Sequence, residues 1–332
     1  MATRHTYATA DDLRDYLAGT TYSSGWTSDG GSLRRILEAA SMRIDQYIGG
    51  GAFGPVTETR FYDIGSGSLI NSPQFGVTGG HGDLRTTVSL ASVIPLDGWL
   101  VSATTVTAYD DTDRGGSETL TEGYNGDFFL MPYNVSPKTI FKLNEDTTKS
   151  LDPGQQTLSI LGSWGYTADT VNVTTGDAVA STTTTSVSVS SAANLGPAQT
   201  ILVDTEQIYI TAISGTTLTV ERGVNGTTAA THSGGATVYR YDYPALVVQA
   251  CLDIAKLTFR NRDMGMSTTI GSGEQSITSS ESEIRSVLMT LDDYAVTGTS
   301  NGVIFSWPIQ ASRLGPPAHC STRTRHNISW TP

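Results

Sequence analysis

The sequence predicts an α+β protein: a helical scaffold of two N-terminal and two C-terminal helices around a β-rich middle. A small inserted all-β domain and an extended C-terminal arm complete it. Three observations point there. Helical periodicity is confined to the front and the back of the chain, while period-two alternation with Gly, Asn and Ser turns fills the middle. Residues Gly162-Ser163-Trp164-Gly165-Tyr166 read as a strand end that should feed a helix beginning near Pro244, yet a Thr/Ser/Gly/Val stretch of its own β character intervenes. The expected units are 1–166 with 242–298 for the scaffold, 167–241 for the insertion and 299–332 for the arm.

The first helix is announced by Thr9-Ala10-Asp11-Asp12, an N-cap with an acidic first turn. Leu13, Tyr16 and Leu17 follow on one face, and Gly19 is the stop. The second spans Ser32–Ile48. Leu33, Ile36, Leu37, Ala40, Ile44, Tyr47 and Ile48 recur at helical spacing, Arg34, Arg35, Glu38 and Arg43 take the other side, and Gly49-Gly50-Gly51 ends it. Short strands are expected at Thr57–Tyr62, from Asp83–Leu84 onward, and at Val101–Tyr109, Phe128–Leu130, Thr139–Leu143 and Thr157–Gly162. The Gly-rich stretch Gly65–Gly82 between the first two reads as a long exposed loop.

Within the insertion, Val171/Val173, Val187/Val189, Ile201/Val203, Ile208/Ile210 and Leu218/Val220 alternate at period two, with turns at Ser214-Gly215 and Asn225-Gly226. The third helix opens at Pro244 and runs through Leu246, Val247, Ala250, Cys251, Ile254, Ala255 and Leu257 to Arg260 and Arg262. A capping box, Ser280-Glu281-Ser282-Glu283, opens the fourth, with Ile284, Val287, Leu288 and Leu291. No acidic residue follows Asp293.

Composition narrows function. A net charge of −12 disfavours wrapping nucleic acid, since phosphates would be held against the protein's own field. The same charge suits a channel wall that DNA slides past, or simply a solvated surface. Two cysteines, Cys251 and Cys320, make no disulfide framework. Met1–Ala10 holds no apolar run, so no signal peptide is expected; with no membrane segment either, a soluble protein made in a cytoplasm is expected. The sequons at Asn134, Asn172, Asn225 and Asn327 then carry no weight.

The chemical motifs are weak. Gly49–Gly54 matches GxGxxG but follows a helix, where a dinucleotide site needs it to open one. Asp110-Asp111-Thr112-Asp113 lacks the distal glutamate of a cation loop. Five histidines, His5, His81, His232, His319 and His326, are scattered. No residue nominates itself as a nucleophile, so no enzyme activity, cofactor or metal is expected.

Several segments together resemble the head–tail connector (adaptor) family of tailed bacteriophages. They are Tyr7-Ala8-Thr9-Ala10-Asp11-Asp12-Leu13, the run Leu33–Asp45, Trp164-Gly165-Tyr166, the helix Pro244–Asp263 and Ile284–Tyr294. Ile201–Glu206 with Glu221–Thr228 is similar to a β module of phage structural proteins. The resemblance implies a virion neck protein: a homo-oligomeric ring, twelvefold in that family, seated under the portal. A tail-completion (stopper) or tail protein would lie below, and DNA would pass through without sequence-specific binding. It further implies a C-terminal arm that docks on the portal, for which Trp307, Arg313, Arg323, Arg325 and Trp330 are the candidate contacts. Candidates for subunit packing are Arg34, Arg35, Arg43, Arg260 and Arg262. Two alternatives stay open: another neck or tail-completion protein, and a virion-surface glycan binder whose insertion stacks Tyr239, Tyr241 and Tyr243 on sugar rings.

Overall fold

Strands dominate the molecule. In the computed structural model, residues 4–18, 30–49, 51–64, 93–110, 115–263 and 280–295 are described. Among them are twelve strands and four α-helices. The expected helical adaptor scaffold is therefore corrected: the protein is mostly β, with two antiparallel sheets of six strands each. The reason is visible in β2 (Val93–Asp110), twice the length that alternation alone marks out. It carries Pro95, Gly98 and two bulges, which break the period while the strand continues. The expected segments Gly65–Gly82 and Asp83–Leu84, and Asp111–Asp113, lie outside the described residues.

The first sheet is ordered β1 (Val56–Ile64), β6 (Gly154–Trp164), β2, β5 (Lys138–Leu143), β4 (Phe128–Met131), with β3 (Gly116–Leu120) paired to the far end of β2. Pairing β5 with its first half and β3 with its second, β2 bends across the sheet. Leu100, Phe141, Leu158, Ile160 and Trp164 form the apolar core on one face.

The second sheet is ordered β7 (Thr170–Thr175), β12 (Thr237–Tyr241), β9 (Thr200–Val203), β10 (Glu206–Ser214), β11 (Thr217–Glu221), β8 (Ser186–Ser188). Its outer strands meet. Asp177 N donates to Ser188 O at 2.9 Å and Ser190 N to Thr175 O at 2.8 Å, so the sheet curls into a small barrel around Ile201, Ile208, Ile210 and Leu218. Closure satisfies edges that would otherwise template pairing with other chains. The chain enters and leaves this barrel side by side: Thr170 pairs with Tyr241, and Asp242 N donates to Asp169 O at 2.9 Å.

A third core is helical: α1 (Ala10–Leu17), α2 (Gly30–Ile48), α3 (Ala245–Asp263) and α4 (Ser280–Met289), followed by a 3-10 turn at Asp292–Tyr294. α1 starts at Thr9, whose hydroxyl accepts from Asp12 N at 3.1 Å while Asp12 accepts from Thr9 N at 2.8 Å, a reciprocal cap. α2 stops at Gly49, in left-handed conformation with φ +72°. The helices bury Leu13, Leu33, Leu37, Ile44, Val247, Cys251, Ile254 and Phe259 against each other. Ala198, Tyr209 and Val224 of the barrel complete that same core.

Candidate functional site

The N-terminal segment Arg4–Thr9 threads between the barrel and the helices and is held from both sides. Arg4 N donates to Asn225 Oδ1 at 2.6 Å, and Thr200 Oγ1 donates to the Arg4 carbonyl. Tyr7 N donates to Ser41 Oγ at 3.2 Å, and Ala10 N donates to Pro197 O at 2.9 Å. Buried His5 is fixed as one tautomer. Pro55 O can only accept, so His5 Nε2 donates to it at 3.0 Å, leaving Nδ1 to accept from Tyr243 OH at 3.0 Å. Burial disfavours the charged ring and lowers its pKa to about 4, against the partly opposing Pro55 carbonyl.

Asn225-Gly226 forms the tip of this junction. Both residues have positive φ, +55° and +81°, and Thr227 N donates to Val224 O at 3.1 Å, a type I′ turn. It joins no two neighbouring strands. Instead Asn225 O accepts from Thr57 N at 2.8 Å, docking the barrel on the start of β1. Asn225 Nδ2 donates to Gln207 Oε1 at 2.7 Å, and Gln207 Nε2 donates to Pro55 O at 2.8 Å. The carboxylate of Glu206, fully buried, sets the loop behind this turn. It accepts from Arg222 Nε and Nη2, both at 2.7 Å, from Gly223 N at 2.9 Å, from Ala230 N at 3.0 Å and from His232 Nε2 at 2.8 Å. Burial pushes the Glu206 carboxyl up, yet these donors outweigh it and hold it at about 2.

On the other side of the N-terminal segment, Tyr7 OH accepts from Phe53 N at 3.0 Å and donates to Asp45. Burial raises the Asp45 carboxyl to about 7, against the lowering hydrogen bond from Tyr7. Burial likewise raises the Cys251 thiol to about 11, which leaves it an unreactive core residue. A carboxyl raised above its unfolded value takes up a proton on folding. Its contribution is complete below pH 3.8 and is lost as pH rises towards 7. His5 acts in the opposite sense, its contribution being lost as pH falls from 6.5 towards 4. Comparing a variant with its parent isolates the carboxyl. Asp45→Asn is expected to gain on the order of 2–4 kcal/mol relative to the parent between pH 4 and pH 8, read by urea unfolding. A constant difference across that range would refute the assignment.

Beside Tyr7 opens a groove of about 470 Å³ between α1, the barrel and α3. Tyr16, Tyr241 and Tyr243 line it together with Asp15, Asp242 and Arg240. Tyr241 and Tyr243 set their rings edge-on to His5, with centroids 5.6 and 6.4 Å apart. They are core residues first, and Tyr239, on the neighbouring strand position, is half-buried. Three tyrosines on one exposed stacking platform, as a glycan binder needs, are not what the geometry offers.

Comparison with family models, curated proteins and solved structures finds no match. The functional reading therefore rests on the chain itself.

The packing candidates divide. Arg43 Nη1 lies 3.7 Å from Glu281, and Arg260 pairs with Glu283, so these two tie α4 to α2 and α3 within one chain. Arg34 Nε lies 3.8 Å from Glu38 one turn on. Arg35 is exposed and makes no ion pair among the described residues. Arg262 belongs to α3, and its side chain lies outside what is described. The docking candidates Trp307, Arg313, Arg323, Arg325 and Trp330 all lie outside the described residues. Among the described residues no group of three or more His, Cys, Asp or Glu could hold a metal ion, and no helix is long and apolar enough to cross a membrane.

Glu206, Arg222 and His232 went unrecognised in the sequence. Their one visible signal is charge placed just after an apolar alternating strand, as in Val220-Glu221-Arg222-Gly223. Asn225-Gly226 was legible as a turn, but its partner Thr57 lies far away in the chain.

Proposed function

We propose that the protein is a structural virion protein, a head–tail connector of a tailed bacteriophage. In this reading it forms a ring beneath the portal, joins capsid to tail and continues the DNA channel, with the C-terminal arm bound to the portal and a stopper or tail protein below. It has no catalytic role. The observation that carries the reading is a convergence. Most of the segments that carry the family resemblance, Tyr7–Leu13, Leu33–Asp45, Val247–Phe259 of the third helix and Ile284–Tyr294 with Tyr166, contribute to one core, while Trp164 belongs to the core of the first sheet. The reading does not depend on a helical framework. Ring subunits need complementary faces that close at a fixed rotation, and sheets supply these as well as helices do. The groups with displaced protonation equilibria support a structural role, since Glu206, His5 and Asp45 are each engaged by internal partners.

The test is localisation. An antibody to residues 167–241, imaged on virions and on tailless DNA-filled heads, should mark the single portal vertex in both. Label along the tail or at its tip, with none on tailless heads, would reject the connector. Truncation after Gly298 is expected to abolish portal binding, measured by co-sedimentation with portal rings. Retained binding would remove the arm from the reading.

A further inference from the structure

His232 lies inside the barrel, its side chain 2% exposed, with a carboxylate at each ring nitrogen. Nδ1 is 2.7 Å from Asp204 Oδ2, and Nε2 is 2.8 Å from Glu206 Oε2. An ionised carboxylate only accepts, so both nitrogens must carry protons for both bonds to exist. The arrangement therefore belongs to the imidazolium. A neutral ring has one proton and turns a lone pair on the other carboxylate. The charged groups at the ring come from separate elements: Asp204 from the β9–β10 turn, Glu206 from β10 and, through Glu206, Arg222 from beyond β11. The segment at Val179 meets His232 by backbone bonds of 2.9 and 3.0 Å, and its Asp177 is exposed.

The two carboxylates differ in freedom. Glu206 is fully buried and also accepts from Arg222, Gly223 N and Ala230 N, so it cannot move away from the ring. Asp204 is 60% exposed on the two-residue turn Asp204-Thr205, which joins the paired residues Val203 and Glu206. It has water to turn to. A ring losing one proton loses it from Nδ1, because loss from Nε2 would set a lone pair against a buried anion that has no other place.

We propose that His232 is a protonation-dependent clasp: as imidazolium it ties the β9–β10 turn to the loop 222–232, and as the neutral Nε2–H tautomer it stays on Glu206 and releases the turn. A group that gains acceptors for its charged form adds stability at low pH and loses it as pH rises through its folded-state titration. The clasp is thus closed on the acid side and open on the alkaline side of the neutral range in which histidines exchange their proton. His5 is the contrast. There a tyrosine hydroxyl donates to Nδ1, and the buried ring is held neutral. The clasp stands on the contacts of one ring and is independent of the connector reading.

NMR on the full-length protein labelled with nitrogen-15, from about pH 5 to pH 9, tests it. His232→Gln identifies the ring signals. The ring is expected to pass from two N–H groups to Nε2–H alone, and the Thr205 amide to shift with the same midpoint. Asp204→Asn keeps a residue type that tolerates the turn's φ of +52° and should bind the ring proton about tenfold more weakly. A ring that keeps both protons throughout overturns the proposal. So does a neutral Nδ1–H tautomer, a Thr205 amide indifferent to the titration, or unchanged proton affinity in Asp204→Asn. Should that variant fail to fold, the tautomer and the Thr205 amide of the parent decide alone.

Discussion

Replacing Arg222 with alanine is expected to destabilise the protein by about 3–5 kcal/mol, because it strips a buried carboxylate of its counter-charge. Glu206 is fully buried, and two of its five donors come from that one guanidinium. Arg222 also donates to the carbonyls of Ser181, Thr184 and Ala230, so the same change frees three loop segments. Glu206→Gln should cost less, since it removes the charge but leaves an amide turned towards donors. The pair exchanged together for apolar residues should cost less than Arg222→Ala alone, since no charge is then stranded. The pH dependence follows from the sign of the shift. A carboxyl held at about 2, against 4.5 when unfolded, stabilises fully above pH 4.5 and loses that contribution as pH falls towards 2. Arg222→Ala should therefore move the acid-unfolding midpoint upward. Urea midpoints at pH 7 within about 1 kcal/mol of the parent would sink the assignment of this node as the barrel's organiser.

Gly226→Ala is the second large effect. Gly226 has φ +81°, and a Cβ there would overlap the carbonyl oxygen of Thr57, a backbone atom that cannot rotate away. The turn must withdraw, which takes with it the bond from Thr57 N to Asn225 O and the contact of Arg4 with Asn225. A loss of about 3 kcal/mol or more is expected. Gly215→Ala is the control. Gly215 also has positive φ, +62°, but nothing lies within 4 Å of its added Cβ, so only the backbone penalty of about 1 kcal/mol applies. The difference between the two isolates the docking contact. Hydrogen exchange at the Thr57 amide gives an independent reading, because that proton should exchange faster in Gly226→Ala and not in Gly215→Ala. Equal effects of both substitutions would show that the turn merely touches β1.

The long helices were legible in the sequence because their burial follows one period. Leu33, Leu37, Ala40, Ile44 and Ile48 of α2 lie inside, as spacing predicts. Their clarity also misled, since strong helical signals at both ends suggested a framework when the helices form one layer among three cores. β3, with the sequence Gly-Ser-Glu-Thr-Leu, has one apolar residue and exists because β2 offers it a partner. Leu246, one of the apolar residues along α3, is 43% exposed, for the buried face is narrower than the apolar run. The junction was out of reach. Arg4 meets Asn225 across 221 positions, and no local period encodes a contact between residues so far apart. Tyr209, likewise, looks like one strand residue among many, yet its hydroxyl crosses to Glu38 of α2 at 2.8 Å.

The side-by-side entry and exit of the barrel has a mechanical consequence. Tension carried along the host chain reaches the barrel at Asp169 and Asp242, the paired ends of β7 and β12. Force applied there pulls two antiparallel neighbours apart from one end, so their rungs break singly and resistance is low, unlike a load that slides strands lengthwise and breaks all rungs together. The bonds at Thr57, Arg4 and Ala10 lie off that line and carry the load in parallel. Those few remote bonds act as the fuse: while they hold, the zipper bears only part of the load.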